Sequence, residues 1–237
     1  MASRSLYRRV VLKLSGEILQ GDQESGISPT ALRGFCGEIA ELAKSTQFVI
    51  VVGGGNFWRF RDHEDVALDR TVSDNMGMLA TVMNATALES TFASLGVPAV
   101  CFSAISMPKV LDDYTARAAI SALEDGKIVI SAGGTGNPFF STDSAAALRG
   151  LELHANVVLK ATNVDGVYDS DPHKNKNAKR FPKVSFKEVL EKQLHVMDLT
   201  AISLCQEGKL PIYVFDMQKK GNLKKVLSGE NLGTLIS

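Results

Sequence analysis

Two short loops near the start of the chain have the composition to hold phosphate. Lys13-Leu14-Ser15-Gly16 follows the apolar run Val10-Val11-Leu12, and Gly53-Gly54-Gly55-Asn56 follows Phe48-Val49-Ile50-Val51-Val52. A loop without side chains lets backbone N–H groups close on an anion, and Lys13 adds a positive point charge. Two such loops read as a site for two phosphate-bearing molecules or for one long polyphosphate. The competing reading is that the glycines only turn strands into helices; a lysine in one of two such loops weighs against it. Other phosphate and acyl chemistries lack their residues. There is no Gly-x-x-x-x-Gly-Lys-[Ser/Thr], and Trp58 occupies the last glycine position of a dinucleotide fingerprint. His63, His154, His173 and His195 form no metal-ligand spacing, and no Gly-x-Ser-x-Gly elbow occurs.

The elements that must position these loops follow from the apolar periodicity. The runs before each loop are short, β-branched and bounded by glycine, as expected for buried strands of a parallel sheet. Ligands bind at the carboxyl ends of such strands. Leu32, Phe35, Ile39 and Leu42 recur at helical spacing after Ser28-Pro29, an N-cap followed by proline at the first helical position. A longer helix is expected over about 73–95, ended by Gly96 and Pro98. Further strands are expected at 97–102, 127–131, 156–160, 212–215 and 234–236. Helices are expected at 115–124, 143–153, 185–193, 199–207 and 222–227. The stretch 162–183 carries the turn signals Asp165-Gly166 and Asp171-Pro172, then the basic run Lys174–Arg180; it reads as a long excursion over the ligand site. Alternating strands and helices give a mainly parallel sheet covered on both faces.

Composition narrows the function further. The chain has 237 residues, 45% of them hydrophobic, enough for one large α/β domain or two small ones. Lys+Arg and Asp+Glu are both 26, so the net charge of zero gives no reason for an obligatory nucleic-acid or anionic-membrane partner. Cys36, Cys101 and Cys205 lie far apart and imply reduced thiols in a cytoplasmic protein rather than a disulfide framework. No run approaches the ~18 apolar residues of a spanning helix. The sequon Asn84-Ala85-Thr86 falls on an expected helix and reads as a chance match.

Together these segments resemble the amino-acid kinase family and, within it, the bacterial uridylate (UMP) kinases. The resemblance runs in order through Leu12-Lys13-Leu14-Ser15-Gly16-Glu17, Gly53-Gly54-Gly55-Asn56 and Asp74-Asn75-Met76-Gly77-Met78-Leu79-Ala80-Thr81. It continues through Gly134-Thr135-Gly136-Asn137-Pro138-Phe139-Phe140-Ser141-Thr142-Asp143, Leu159-Lys160-Ala161-Thr162-Asn163-Val164-Asp165-Gly166-Val167-Tyr168 and Val196-Met197-Asp198-Leu199. It implies a single αβα sandwich around a mostly parallel sheet, spanning 1–237. It also implies MgATP-dependent conversion of UMP to UDP, a homohexamer and UTP feedback inhibition.

The same resemblance assigns residues. Lys13, Leu14, Ser15 and Gly16 would line the ATP phosphates with Gly55 and Arg59 beside them. Thr162, Asn163, Tyr168 and Asp171 would hold the adenosine end. Gly54 and Asp74 would contact UMP, and Thr135, Gly136, Asn137, Pro138, Phe139, Phe140, Ser141 and Thr142 would wrap its phosphate and base. Asp143 and Asp198 would organise lysine or magnesium, and no residue is assigned as a direct metal ligand. The turn Gly21-Asp22-Gln23-Glu24-Ser25-Gly26 lacks the aromatic that many relatives carry where GTP activates them.

Simpler roles compete with several of these. Asp74 could cap the long helix, and at least one of the adjacent Phe139 and Phe140 is expected in the core. Tyr168 could pack its own loop, and Trp58 and Phe60 could belong to an interface. At the level of the whole protein, the alternatives are a kinase of acetylglutamate or aspartate, and a nucleotide-sensing binding protein.

Overall fold

The computed structural model describes residues 5–59, 68–170, 172, 174–194 and 196–237. Phe60, His63, Asp171, His173 and His195 lie outside the described residues. The central sheet runs, edge to edge, β4 (Asp112–Asp113), β3 (Ala99–Ser103), β5 (Ile128–Ala132), β2 (Gln47–Val52), β1 (Arg9–Leu14), β6 (Val157–Thr162), β10 (Ile212–Asp216), β11 (Thr234–Ile236) and β9 (Lys183–Val184). From β4 to β10 every pairing is parallel; β11 turns antiparallel to β10, and β9 runs parallel to β11.

Alternation along each strand sorts side chains between two cores. Val10, Leu12 and Leu14 of β1 face α1 (Glu17–Gln20), α2 (Pro29–Leu42), α3 (Arg70–Ser94) and α8 (Asn222–Leu227). Val11 faces the opposite side, against α4 (Ala116–Glu124), α5 (Thr142–Glu152), α6 (Phe186–Glu191) and α7 (Leu199–Glu207). The expected sandwich of helices about a mostly parallel sheet is therefore present.

The strand order reverses beside β1. The chain moves to one side of β1 through β2, and crosses to the other side at β6. The carboxyl ends of β1, β2 and β6 thus border a topological switch point, where open α/β sheets bind ligands. Within 162–183 the excursion pairs β7 (Val167–Tyr168) with β8 (Arg180–Phe181) as an antiparallel ribbon.

The start of the long helix differs from the expected position. The long helix begins at Arg70, and its N-cap is Asp69, which accepts the Thr71 N–H at 2.8 Å. Asp74 lies a full turn inside and caps nothing. Asn84 is fully buried, so its sequon has no access to a glycosylating enzyme.

Candidate active site

The floor of the site is a charged triplet set by strand register. Lys13 on β1 lies directly beside Lys160 on β6. Both take the parity of Val11 and Val158, so both point toward α5. Asp143 in the first turn of α5 receives them: Lys13 Nζ is 2.9 Å from Oδ1 and Lys160 Nζ is 2.7 Å from Oδ2. Lys160 also donates to the Val196 carbonyl. Burial alone would raise the Asp143 carboxyl, but the two ammonium groups hold it below its ordinary value. Burial, foremost, and the neighbouring Lys13 pull Lys160 down, while Asp143 opposes that shift. One carboxylate against two cations leaves a net positive charge at the strand ends, facing the cleft.

α5 is held at this spot by its own cap. The Ser141 hydroxyl accepts the N–H groups of Asp143 and Ser144 at 2.9 and 3.2 Å. Asp198, the N-cap of α7, accepts the Ala201 N–H at 2.8 Å and the Ser144 hydroxyl at 2.9 Å, and takes the Ser141 hydroxyl as well. Asp198 thus ties two helix N-termini together, and acts on Lys160 as a neighbouring charge.

The two glycine loops are stitched to one another. Gly53 N–H donates to Leu14 O at 3.0 Å. A Cβ on Gly16 would come within 2.2 Å of Asn56 Oδ1, and one on Gly54 within 2.6 Å of Gly77 O. These contacts require glycine at both positions. Leu14 itself points into the core, so only its backbone belongs to the loop. Asn56 and Asn84 form a buried reciprocal amide pair at 2.7 and 2.9 Å. Asn84 also donates to Gly53 O at 2.8 Å, and Asn56 to Gly26 O at 2.7 Å. Arg59 donates from Nε to Gly55 O at 3.1 Å and pairs with Glu17 through Nη2.

The loop after β5 forms the facing wall. Gly133, Gly134, Gly136 and Phe139 all have positive φ, at 73, 59, 80 and 70°. Gly133 N–H donates to the Thr81 hydroxyl at 2.8 Å, and a Cβ on Gly136 would meet Ala104 O at 2.7 Å. Thr135 and Asn137 bond each other at 3.2–3.3 Å. Asp74 binds Arg70 at 2.8 and 2.9 Å and accepts the Phe139 N–H at 2.8 Å, so it joins α3 to this loop. Phe139 and Phe140 are 68% and 49% exposed, contrary to the expectation that one is core. Here the main chain turns at Phe139 with a left-handed conformation, which keeps both rings on the surface.

A cleft of about 1190 Å³ opens from this floor. Lys13, Ser15, Glu17, Lys160, Thr162, Asn163, Met217 and Gln218 line it. Pro138 packs at the edge of the facing loop, half-buried, and the Thr142 hydroxyl lies 3.4 Å from where a Gly53 Cβ would be. Tyr168 is turned toward Asp165, to which its hydroxyl donates at 2.6 Å. It packs its own ribbon, and Asp171 lies outside the described residues. Among the described residues no group of three or more His, Cys, Asp or Glu side chains could hold a metal ion.

The sequence reading assigns no role to the side chains of Lys160, Asn56 and Asn84. Only Lys160 carries a usable signal: a charged residue directly after the apolar strand run Val157-Val158-Leu159.

The comparisons agree with this geometry. The model of the amino acid kinase family matches residues 8–216. The chloroplastic uridylate kinase PUMPKIN of Arabidopsis thaliana is 49% identical over 97% of this chain and 68% of its own length. The UMP kinase of Ureaplasma parvum superposes with a TM-score of 0.93 at 38% identity, covering 97% of this chain and 98% of that one. The UMP kinase of Bacillus anthracis does so at 0.94 and 33%, covering 98% and 96%. The chain belongs to the amino acid kinase family, and within it to the uridylate kinases.

Proposed function

We propose that this chain transfers the γ-phosphoryl group of ATP, taken as its magnesium complex, to the phosphate of UMP, giving UDP and ADP. The observation that carries the reading is the Lys13–Asp143–Lys160 triplet at the switch point, whose two lysines line the large cleft. The kinship with uridylate kinases selects the nucleotides.

In this reading Lys13, Ser15, Gly16, Gly55 and Arg59, with the Leu14 backbone, receive the donor phosphates. Thr162, Asn163, Tyr168 and Asp171 take the adenosine end, as the family resemblance implies. Gly54, Asp74, Thr135, Gly136, Asn137, Pro138, Phe139, Phe140, Ser141 and Thr142 hold UMP. The nearby carboxylates are already committed: both oxygens of Asp143 to lysines, Asp198 to two serines and a backbone N–H, and Glu17 to Arg59. Among the described residues no acidic cluster could hold a metal alone, so magnesium would be brought in with ATP, beside Lys13 and Asp143, and would supply charge neutralisation there.

No enzyme base is needed. A phosphate monoester has a second pKa of ~6, so the UMP oxygen is already ionised near neutrality. Asp143, held low by two cations, is poorly suited to take a proton. The obstacle is repulsion between polyanions, of the order of 4 kcal/mol per pair of unit charges at ~4 Å and an effective dielectric of ~20. Lys13, Arg59 and the loop N–H groups offset it, and in-line transfer follows from alignment.

Assembly belongs to the same proposal. Val72, Met76, Leu79 and Met83 are 36–51% exposed and recur at helical spacing along α3. Such a stripe fits burial between copies of the chain, as a homohexamer would give. UTP, which shares the base and ribose of UMP, acts as feedback inhibitor. The protein works as one domain in the cytoplasm.

The test is ADP release by the purified protein with UMP, CMP, acetylglutamate or aspartate as acceptor. Turnover with UMP well above the others is expected. Turnover with an amino acid acceptor, or nucleotide binding without turnover, would overturn the reading.

A further inference from the structure

Arg149 of α5 is 97% buried by its 3% exposure, yet it lies outside the cleft. Its guanidinium is held on every side. It stacks on the Tyr114 ring at 3.7 Å from the centroid. Nη1 donates to Glu152 Oε2 at 2.6 Å, Nε to the Ser131 hydroxyl at 3.3 Å, and Nη2 to Gly134 O at 3.3 Å. The Tyr114 hydroxyl donates to the same Glu152 oxygen at 2.8 Å. Tyr114 is in turn fixed by its N–H to Ser103 O at 2.8 Å.

A structural role for the pair with Glu152 would leave the bond to Gly134 unexplained. Gly134 opens the facing loop at φ 59°, between Gly133 at 73° and Gly136 at 80°. In a trans peptide the C=O and the following N–H point in opposite directions. Drawing Gly134 C=O inward therefore turns the Thr135 N–H outward, away from the arginine and toward the open side of the loop. A planar fork is required for this, because one guanidinium must serve the loop, the strand end and Glu152 at once.

We infer that Arg149 is a positioning residue for the acceptor: clamped by Tyr114 and Glu152, it sets the Gly134–Thr135 peptide so that the loop presents N–H to the acceptor's phosphate. This rests on the assignment of the 133–142 loop to UMP, and it predicts an effect on one substrate only. Lysine keeps the charge at Arg149 but loses the fork. Phenylalanine at Tyr114 keeps the stacked ring but removes one of the two bonds that hold Glu152.

Arg149→Lys should raise KM for UMP about tenfold, the loss of one hydrogen bond to a charged partner. KM for ATP should stay within about twofold, because Lys13 and Lys160 are untouched. Tyr114→Phe should raise KM for UMP about threefold. An unchanged UMP KM in either folded variant, or equal rises for both nucleotides, would overturn the role. If Arg149→Lys fails to fold, Tyr114→Phe decides. Amide hydrogen exchange across 133–137 without nucleotide gives a readout that no substrate assignment enters. Exchange there about tenfold faster in the variant, with the 13–16 loop unchanged, is expected; equal exchange would overturn the inference. Wild-type protein that fails to phosphorylate UMP while passing this exchange test would sink the assignment of UMP and leave the clamp standing.

Discussion

The two walls of the site are built on opposite principles. The floor uses charges on regular elements: Lys13 and Lys160 on adjacent strands, bridged by Asp143 at the first turn of α5. The 133–142 loop uses backbone shape: four residues with positive φ, held by Thr81, Asp74 and Arg149. Strand register fixes side chains without further support, whereas a loop needs partners at several points. The floor should therefore fail through loss of charge, and the loop through loss of shape.

Removing the charge should give the largest effect. Lys13→Ala leaves Asp143 paired with Lys160, so the fold should persist with little change in Tm. Its kcat should fall about 10²- to 10³-fold, the range for deleting one preorganised transition-state contact. Steady-state rates near wild type in a protein of normal Tm would remove Lys13 from the chemistry.

The loop should fail selectively. Asp74→Asn keeps the shape of the side chain but loses the charge that holds Arg70 and the Phe139 N–H. A loss of about 1.5–3 kcal/mol is expected, seen as a rise of roughly 10- to 100-fold in KM for UMP. KM for ATP should hardly move. Equal changes for both nucleotides would erase the distinction between the walls.

Asn84 supports the Gly53–Asn56 loop rather than either wall, so its loss should show in stability. Asn84→Ala strands the Asn56 amide and Gly53 O, which costs about 1–3 kcal/mol. For a chain of this size Tm should fall by roughly 2–4 °C per kcal/mol. Calorimetry showing no change would mean that water replaces the lost amide.

Much of this was legible beforehand, for a physical reason. Apolar runs bounded by glycine specify parallel strands, and a parallel sheet dictates where its ligands bind. Lys13 and both glycine loops follow directly from that logic. Spacing alone could not show that Lys13 and Lys160 share a carboxylate, because register joins residues 147 positions apart in sequence. Nor could it show that Asp69 rather than Asp74 caps α3; two acids near one helix start look alike until the first N–H groups are placed. The exposed Phe139 was missed because an aromatic pair signals burial, and a left-handed turn overrode that signal.

Acid should weaken the floor as Asp143 takes up its proton. Asp143 has a lower pKa folded than its ordinary value of 3.8. A carboxyl lowered on folding contributes stability that is present above 3.8 and is lost as pH falls through the native value. In Asp143→Asn this contribution is absent, so the gap between the two unfolding free energies should narrow as pH drops below 3.8. A gap that stays constant with pH in that range would mean that the two lysines do not stabilise the charge.

The smallest effect expected tests whether the loop is truly shaped by its backbone. Phe139 is not glycine, yet it adopts φ 70°. Such a conformation costs an L-residue about 1–2 kcal/mol, and the ring at 68% exposure has little burial to offset it. Phe139→Gly and Phe139→Ala both delete the ring and its contact with Arg70, whose Cζ lies 5.6 Å from the ring centroid. They differ in the Cβ alone. If Asp74 and Arg149 hold the loop in place, alanine must remain left-handed and glycine need not strain. The glycine variant should then be more stable by up to about 1 kcal/mol, since glycine's greater freedom when unfolded takes back part of the gain. Both variants should raise KM for UMP alike, because neither keeps the ring. Should the alanine variant melt at or above the glycine variant, the loop relaxes freely, and the contrast between a charge-built floor and a shape-built wall fails at its weaker side.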